Sequence, residues 1–180
     1  KAKIDPQTQI KIKAFYTKIL EMMEEKHPQE MLGMFVNVRD KIVQDIVFEL
    51  KDVEYFSKLK LLGEFSRCHS LNTAILSGFI AKRMDLSESE VLDVVMAGLM
   101  HDIGKIQFPK SILTKKTLTN QEKFLLRRHT IIGYKLLKNE FGLPENIARV
   151  ALEHHENNDG SGYPASKSGD FINRECQIVS

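Results

Sequence analysis

The chain has 180 residues, 42% of them hydrophobic, and a formal net charge of +2. It is long and apolar enough to bury a full core, and its charge is too small for binding a nucleic-acid polymer. Cys68 and Cys176 are too few for a disulfide framework and form no CxxC pair, so a reducing, cytoplasmic setting is expected. No apolar run approaches the roughly 20 residues of a membrane span, and no signal peptide is expected.

In chain order, Ile12, Phe15, Ile19, Met22 and Met23 recur at helical spacing until His27-Pro28 ends the run. Met31, Phe35, Val38, Ile42 and Ile46 predict a second amphipathic helix. Both stripes read as packing surfaces rather than a cofactor box, and they suit a homodimer partner as well as their own domain. Ser87-Glu88-Ser89-Glu90 is a capping box ahead of the apolar run from Val91 to Met100, and Thr119-Asn120-Gln121-Glu122 repeats the signature. Gly142 followed by Pro144 ends one helix and opens the next. Long strand alternation and short repeats are absent, so the expected fold class is all-α, with loops at 104–118 and 158–170. Lys1 replaces an initiator methionine and Gln177 to Ser180 carry no helix stop, so both ends read as cut from a longer protein that also carries sensor or membrane segments.

The chemistry concentrates in the histidines. His101-Asp102 follows the apolar helix and precedes Gly104, where side chains leave the core. Neighbouring helical positions diverge by about 100°, so the carboxylate of such a pair can bridge two ions while the imidazole binds one. His154-His155 has the same property, and two adjacent pairs point to two metals. His69 and His129 then fit one ligand group per helix or helix end, gathered across a bundle. Imidazole with carboxylate suits Mn, Fe, Ni or Zn better than Mg or Ca. His27 lies outside this pattern.

His101-Asp102-Ile103-Gly104-Lys105, His129-Thr130-Ile131-Ile132-Gly133, His154-His155-Glu156 and Asp159-Gly160-Ser161-Gly162-Tyr163-Pro164 together resemble the HD-GYP family of bacterial cyclic-dinucleotide phosphodiesterases. The resemblance covers about residues 65 to 180. It implies an HD-domain helical bundle over 63–180, preceded by an N-terminal helical region at 1–62. It also implies that His69, His101, Asp102, His129, His154 and His155 are metal ligands, with Asp102 bridging two divalent ions, iron or manganese first and nickel or zinc as alternatives. Lys105 would contact a substrate phosphate and, with Asp102, serve catalysis. The family places one more ligand, an aspartate, just after a segment like Ile178-Val179-Ser180, where this chain stops. Four residues before His69, where members with a third metal place an acid, stands Phe65, and Glu64 is rotated away from that position, which favours a two-metal site.

Other residues admit two readings. Lys110, Lys115, Lys116, Arg127 and Arg128 extend a positive field toward a dianionic ligand or form an ordinary solvated face. Gly160 and Gly162 permit backbone conformations closed to other residues, and Pro164 stiffens the exit of the turn. Tyr163 stacks on a guanine base or packs inward. Glu156 and Asp159 orient ligand imidazoles or cap the turn. Cys68 fills core. The implied activity is metal-assisted hydrolysis of cyclic di-GMP, by in-line attack of water, to linear pGpG or, after a second cut, to GMP in second-messenger signalling. The alternatives are an HD hydrolase acting on cyclic GMP-AMP or other nucleotides, and an inactive regulatory module binding the GGDEF domain of a diguanylate cyclase.

Overall fold

The computed structural model describes Ile10, Ala14, Thr17, residues 28–48 and residues 69–180. The first expected amphipathic stripe, His27, Phe65 and Cys68 lie outside these residues. Among the described residues every regular element is helical, and the sole strand-like pairing is an isolated bridge between Asp159 and Ser168. The chain divides into two compact units, 1–99 and 100–180.

In the first unit, α1 (Pro28–Ile42) runs on into a π-helical stretch, Val43–Phe48. The stripe read from sequence is its core face: Met31, Phe35, Val38, Ile42 and Ile46 are all buried. The widened last turns were not legible from that stripe, because Ile42 and Ile46 keep the four-residue spacing of an ordinary helix. Helix α2 (His69–Arg83) packs on this stretch, and the Lys82 ammonium donates to the Val47 and Phe48 carbonyls at 2.6 and 3.2 Å. Those carbonyls lie where the helical ladder ends, so the lysine supplies donors the chain itself lacks. Helix α3 (Glu88–Met100) opens on the expected capping box: the Ser87 amide donates to the Glu90 carboxylate at 2.8 Å and the Glu90 amide donates to Ser87 Oγ at 3.3 Å. Gly98 brings α3 against the backbone of Ala74 on α2.

The second unit begins at the last residue of α3. The segment 104–118, expected as a loop, contains a 3₁₀ turn at Ile103–Gln107 and the single-turn helix α4 (Lys110–Leu113). Elements this short carry no amphipathic repeat and leave no periodic signal. Helix α5 (Asn120–Arg127) has the complete capping box of Thr119 and Glu122. The chain bends at Arg128 into α6 (His129–Lys135), which widens into a π-helical stretch, Leu136–Glu140. Gly142, at φ +66°, turns the chain, and Pro144 caps α7 (Glu145–Glu153). After a long irregular segment with a 3₁₀ turn at Gly169–Phe171, the Asn173 side chain caps α8 (Arg174–Val179), an element the sequence reading did not foresee. Helix α6 packs against α7 and the Ile103–Gln107 turn, and α8 packs on α7. No helix among the described residues is long and apolar enough to cross a membrane.

Gly104 is the tightest of these contacts, since a Cβ there would run into the His129 carbonyl and the Gly133 amide, which are backbone and cannot yield. Gly104→Ala is therefore expected to lower stability by about 1–3 kcal/mol. Gly33→Ala, in α1 with nothing within 4 Å of the new methyl, is expected to raise it by about 0.5–1 kcal/mol. Urea unfolding of the two variants checks both signs.

Candidate metal centre

Five residues of the second unit converge from the ends of its elements. His101 and Asp102 form the turn after α3, His129 is the first residue of α6, His154 closes α7, and His155 follows it. Two of the rings bond carbonyl oxygens in the last turns of helices, where the backbone ladder runs out, although the Val150 carbonyl also accepts the His154 amide at 3.0 Å. His129 Nδ1 lies 2.6 Å from the Leu126 carbonyl, and His154 Nδ1 lies 3.0 and 3.1 Å from those of Val150 and Ala151. A carbonyl oxygen only accepts, so each Nδ1 carries a proton and each Nε2 of the neutral ring carries a lone pair. The two Nε2 atoms face each other at 3.4 Å, and Asp102 Oδ1 stands 3.4 Å from that of His129 and 3.5 Å from that of His154. The other carboxylate oxygen, Oδ2, faces His101 Nε2 at 3.4 Å and takes an ion pair from Lys105 Nζ at 2.6 Å.

Burial opposes charge on Asp102, but its polar surroundings, His101 and the Lys105 ammonium among them, outweigh it and hold the carboxyl ionised far below its usual range. Burial pushes His129 down to about 4 and, with the neighbouring rings of His154 and His129, pushes His155 down to about 3. His154 is lowered by the same burial. The centre thus presents one carboxylate and, at His129, His154 and His155, neutral imidazoles at neutral pH.

That donor set fits a transition-metal ion. Asp102, His129, His154 and His155 offer ligand atoms all within 4.8 Å of one another. Two nitrogens at 2.0–2.1 Å from one tetrahedral ion stand roughly 3.3 Å apart, close to the observed separation. Lone pairs that face one another with no proton between them have no hydrogen bond to make, whereas a cation satisfies all of them. The Asp102 oxygens divide, one toward His129 and His154 and one toward His101, so the carboxylate faces imidazoles on both sides.

The remaining residues of interest fall into three settings. His69 opens α2, exposed, in the first unit. Lys105 rests on Asp102. Tyr163 packs on His155, ring centroids 4.7 Å apart at 24°, beneath the guanidinium of Arg127, whose carbon is 4.7 Å from the ring centroid. Glu156 is buried, and its carboxylate accepts the Ala165 and Lys167 amides at 2.7 and 2.9 Å, while Asp159 accepts the Ser161 amide at 2.9 Å. Of the two readings of these acids, both hydrogen-bond sets belong to the turn. Gly160 has the left-handed backbone expected of it, φ +78°. Gly162 is needed for space instead, because a Cβ there would strike the backbone of His155, Glu156 and Asn157. Pro164 is exposed and follows a cis peptide bond. Of the basic residues in the 110–128 segment, Lys115 pairs with Glu122 at 2.7 Å and the others are exposed.

Glu153 was not singled out from the sequence. It is fully buried, takes ion pairs from Arg149 at 2.9 Å and Lys167 at 2.6 Å, and accepts the Asn173 amide at 3.2 Å. It ties α7 to the turn and to the start of α8. The available signal was an acid three residues after buried Val150, with Arg149 four residues before it.

The sequence pattern of the HD domain family matches residues 56–180, and the chain belongs to that family. It is an HD-GYP-like domain, as its motifs indicated. It is 42% identical over 107 residues to the cyclic di-GMP phosphodiesterase response regulator RpfG of Xanthomonas campestris, covering 58% of this chain and 28% of that protein. It is 33% identical over 119 residues to 3'3'-cGAMP-specific phosphodiesterase 1 of Vibrio cholerae, covering 66% of this chain and 27% of that protein. The chain thus spans little more than a quarter of these relatives' length. Among solved structures, Bd1817, an HDG"Y"P protein from Bdellovibrio bacteriovorus, superposes with a TM-score of 0.73 at 16% identity over 94% of this chain and 56% of that one. That likeness bears out the all-α, HD-domain-like fold.

The depressed histidines make stability depend on pH. The unfolded chain takes up protons near pH 6.5, whereas folded His129 does so only near 4. The unfolded state therefore binds more protons across that window, and stability falls as pH falls. Metal-free protein is expected to lose roughly 2–3 kcal/mol from His129 alone between pH 7 and pH 4. Denaturant midpoints at pH 7, 5.5 and 4 check this, and a flat profile contradicts the neutral assignment.

Proposed function

We propose that this chain is the hydrolytic region of a metal-dependent phosphodiesterase that opens a cyclic dinucleotide, cyclic di-GMP first, to linear pGpG and onward to GMP in bacterial second-messenger signalling. The observation that carries the reading is the cluster of Asp102 with the inward nitrogens of His129 and His154. Its support from relatives is that both phosphodiesterases named above act, by their names, on cyclic dinucleotides.

In this reading Asp102, His101, His129, His154 and His155 hold two divalent ions, iron or manganese before nickel or zinc. Ions bound there supply Lewis acidity, which acidifies water and offsets charge on phosphoryl oxygens. The protein's own part is positional. Asp102 splits its two oxygens between His101 and the His129–His154 pair, which suits it to bridge. The Nδ1–H bonds to helix-end carbonyls fix the tautomers of His129 and His154 and aim their lone pairs. Lys105, half-exposed on Oδ2, stands next to the carboxylate where its ammonium meets a phosphate oxygen as substrate arrives. Burial of His101, His129 and His154 excludes bulk water from the inner side of the centre.

A second reading has cyclic GMP-AMP as the preferred substrate, and the similarity to a 3'3'-cGAMP-specific enzyme favours it. Turnover of cyclic di-GMP, 3'3'-cGAMP and mononucleotide cyclic phosphates by the metal-loaded parent protein separates the two. Faster turnover of cyclic di-GMP is expected, and a preference for mononucleotides overturns both readings.

Asp102→Ala is expected to abolish turnover and remove bound metal together, because it deletes the one group shared by both sides of the centre. Elemental analysis of the purified variant checks this, with normal metal content and rate as the contrary outcome. Lys105→Ala is expected to keep its metal and lose about 10²-fold or more in kcat, as loss of one charge-stabilising donor does elsewhere.

A further inference from the structure

The imidazoles of the centre are held in two different ways. His129 and His154 are each fixed by an Nδ1–H bond to a helix-end carbonyl. Among the described residues, the His155 ring has no such bond, and its ring contacts are with His129, His154 and Tyr163. The two histidine contacts are between members of the same donor cluster, so neither can serve as an external anchor. Tyr163 is the exception. Its ring lies nearly parallel to that of His155, and its amide donates to the His155 carbonyl at 3.0 Å. Both main chain and side chain of residue 163 are therefore docked on residue 155.

The turn is built to keep that docking in place. Gly162 lets the backbone pass against His155, Glu156 and Asn157 where no Cβ fits. Buried Glu156 holds the Ala165 and Lys167 amides just beyond the tyrosine. Arg127, the last residue of α5, lays its guanidinium over the Tyr163 ring, a favourable contact for an aromatic face. The tyrosine is thus gripped from the turn and from α5 while it presses on one ring of the cluster.

We propose that Tyr163 is a positioning residue for the metal centre: stacked on His155 and covered by Arg127, it fixes the orientation of a ligand imidazole that, among the described residues, lacks the carbonyl anchor that holds His129 and His154. The inference rests on the metal-centre reading. It departs from a role for Tyr163 in stacking on a substrate base, since the tyrosine ring is already stacked on a protein imidazole.

Cobalt(II) is the probe, because its visible absorption reports ligand geometry and its affinity can be measured without turnover. In the full chain, Tyr163→Leu is expected to weaken Co²⁺ binding by about 10–100-fold, the range for loss of a group that orients a ligand, and to change the visible spectrum. Tyr163→Phe keeps the planar ring and is expected to restore affinity and spectrum. The melting temperature of the metal-free chain separates this from general damage. If the leucine variant does not fold, Tyr163→Met, of similar length and without a planar ring, carries the same comparison. Wild-type affinity and spectrum in the leucine or methionine variant overturn the positioning role while leaving the metal centre intact. Failure of the unsubstituted chain to bind Co²⁺ overturns the metal centre itself and this inference with it.

Discussion

The second unit is organised around a conflict at Asp102. A buried carboxylate needs positive charge or hydrogen-bond donors, yet two of the three imidazoles around it have their only neutral-state proton engaged on helix-end carbonyls. Burial makes it costly to protonate them further, as the lowered values of His129 and His154 show. Lys105 answers Asp102 with a full charge, placed on Oδ2. The arrangement is electron-rich by construction. Its stability as a structure and its competence for cations come from the same placement of protons on the outer nitrogens.

Helix ends make this placement possible. A ring in the middle of a helix finds every nearby carbonyl already taken by the ladder, whereas the last turn of α7 and the break between α5 and α6 release acceptors. His154 and His129 sit at those points. The close approach of Gly104 to His129 fastens the turn that carries Asp102 onto α6, so that carboxylate and imidazole are set by backbone packing rather than by side-chain flexibility. Glu153 performs the corresponding task on the far side, where three separate donors from α7, the turn and the start of α8 meet one buried carboxylate.

What could be read in advance follows the same division. The α1 stripe and both capping boxes were legible because they are local patterns, and His101, Asp102, His129, His154 and His155 because adjacent pairs and motif spacing are visible in one dimension. The π-helical stretches after α1 and α6, the short turns between 103 and 113, and α8 were not, since none extends a periodic pattern. Gly162 shows the limit most clearly. Its presence was informative, but the reason is contact with Glu156 six residues earlier, not a left-handed backbone, and contact is a property of the folded chain. Arg127 likewise read as one basic residue among several, and only the fold lays it on Tyr163.

The proposed function requires a centre that attracts cations to receive a polyanion as well. From Lys105 to Lys138 every charged residue except Glu122 is basic. At physiological ionic strength such a field acts over about 8 Å before salt screens it, so it governs the approach of an anion from solvent. The lone pairs of His129 and His154 act only at contact, where a cation sheds water and is bound directly. The two attractions differ in range and do not cancel. Lys105 has its ammonium on the carboxylate of the inner cluster and is itself partly exposed. Under the proposed function, a phosphate reaches Lys105 at the boundary between the two regimes, where the lysine also answers the charge of Asp102.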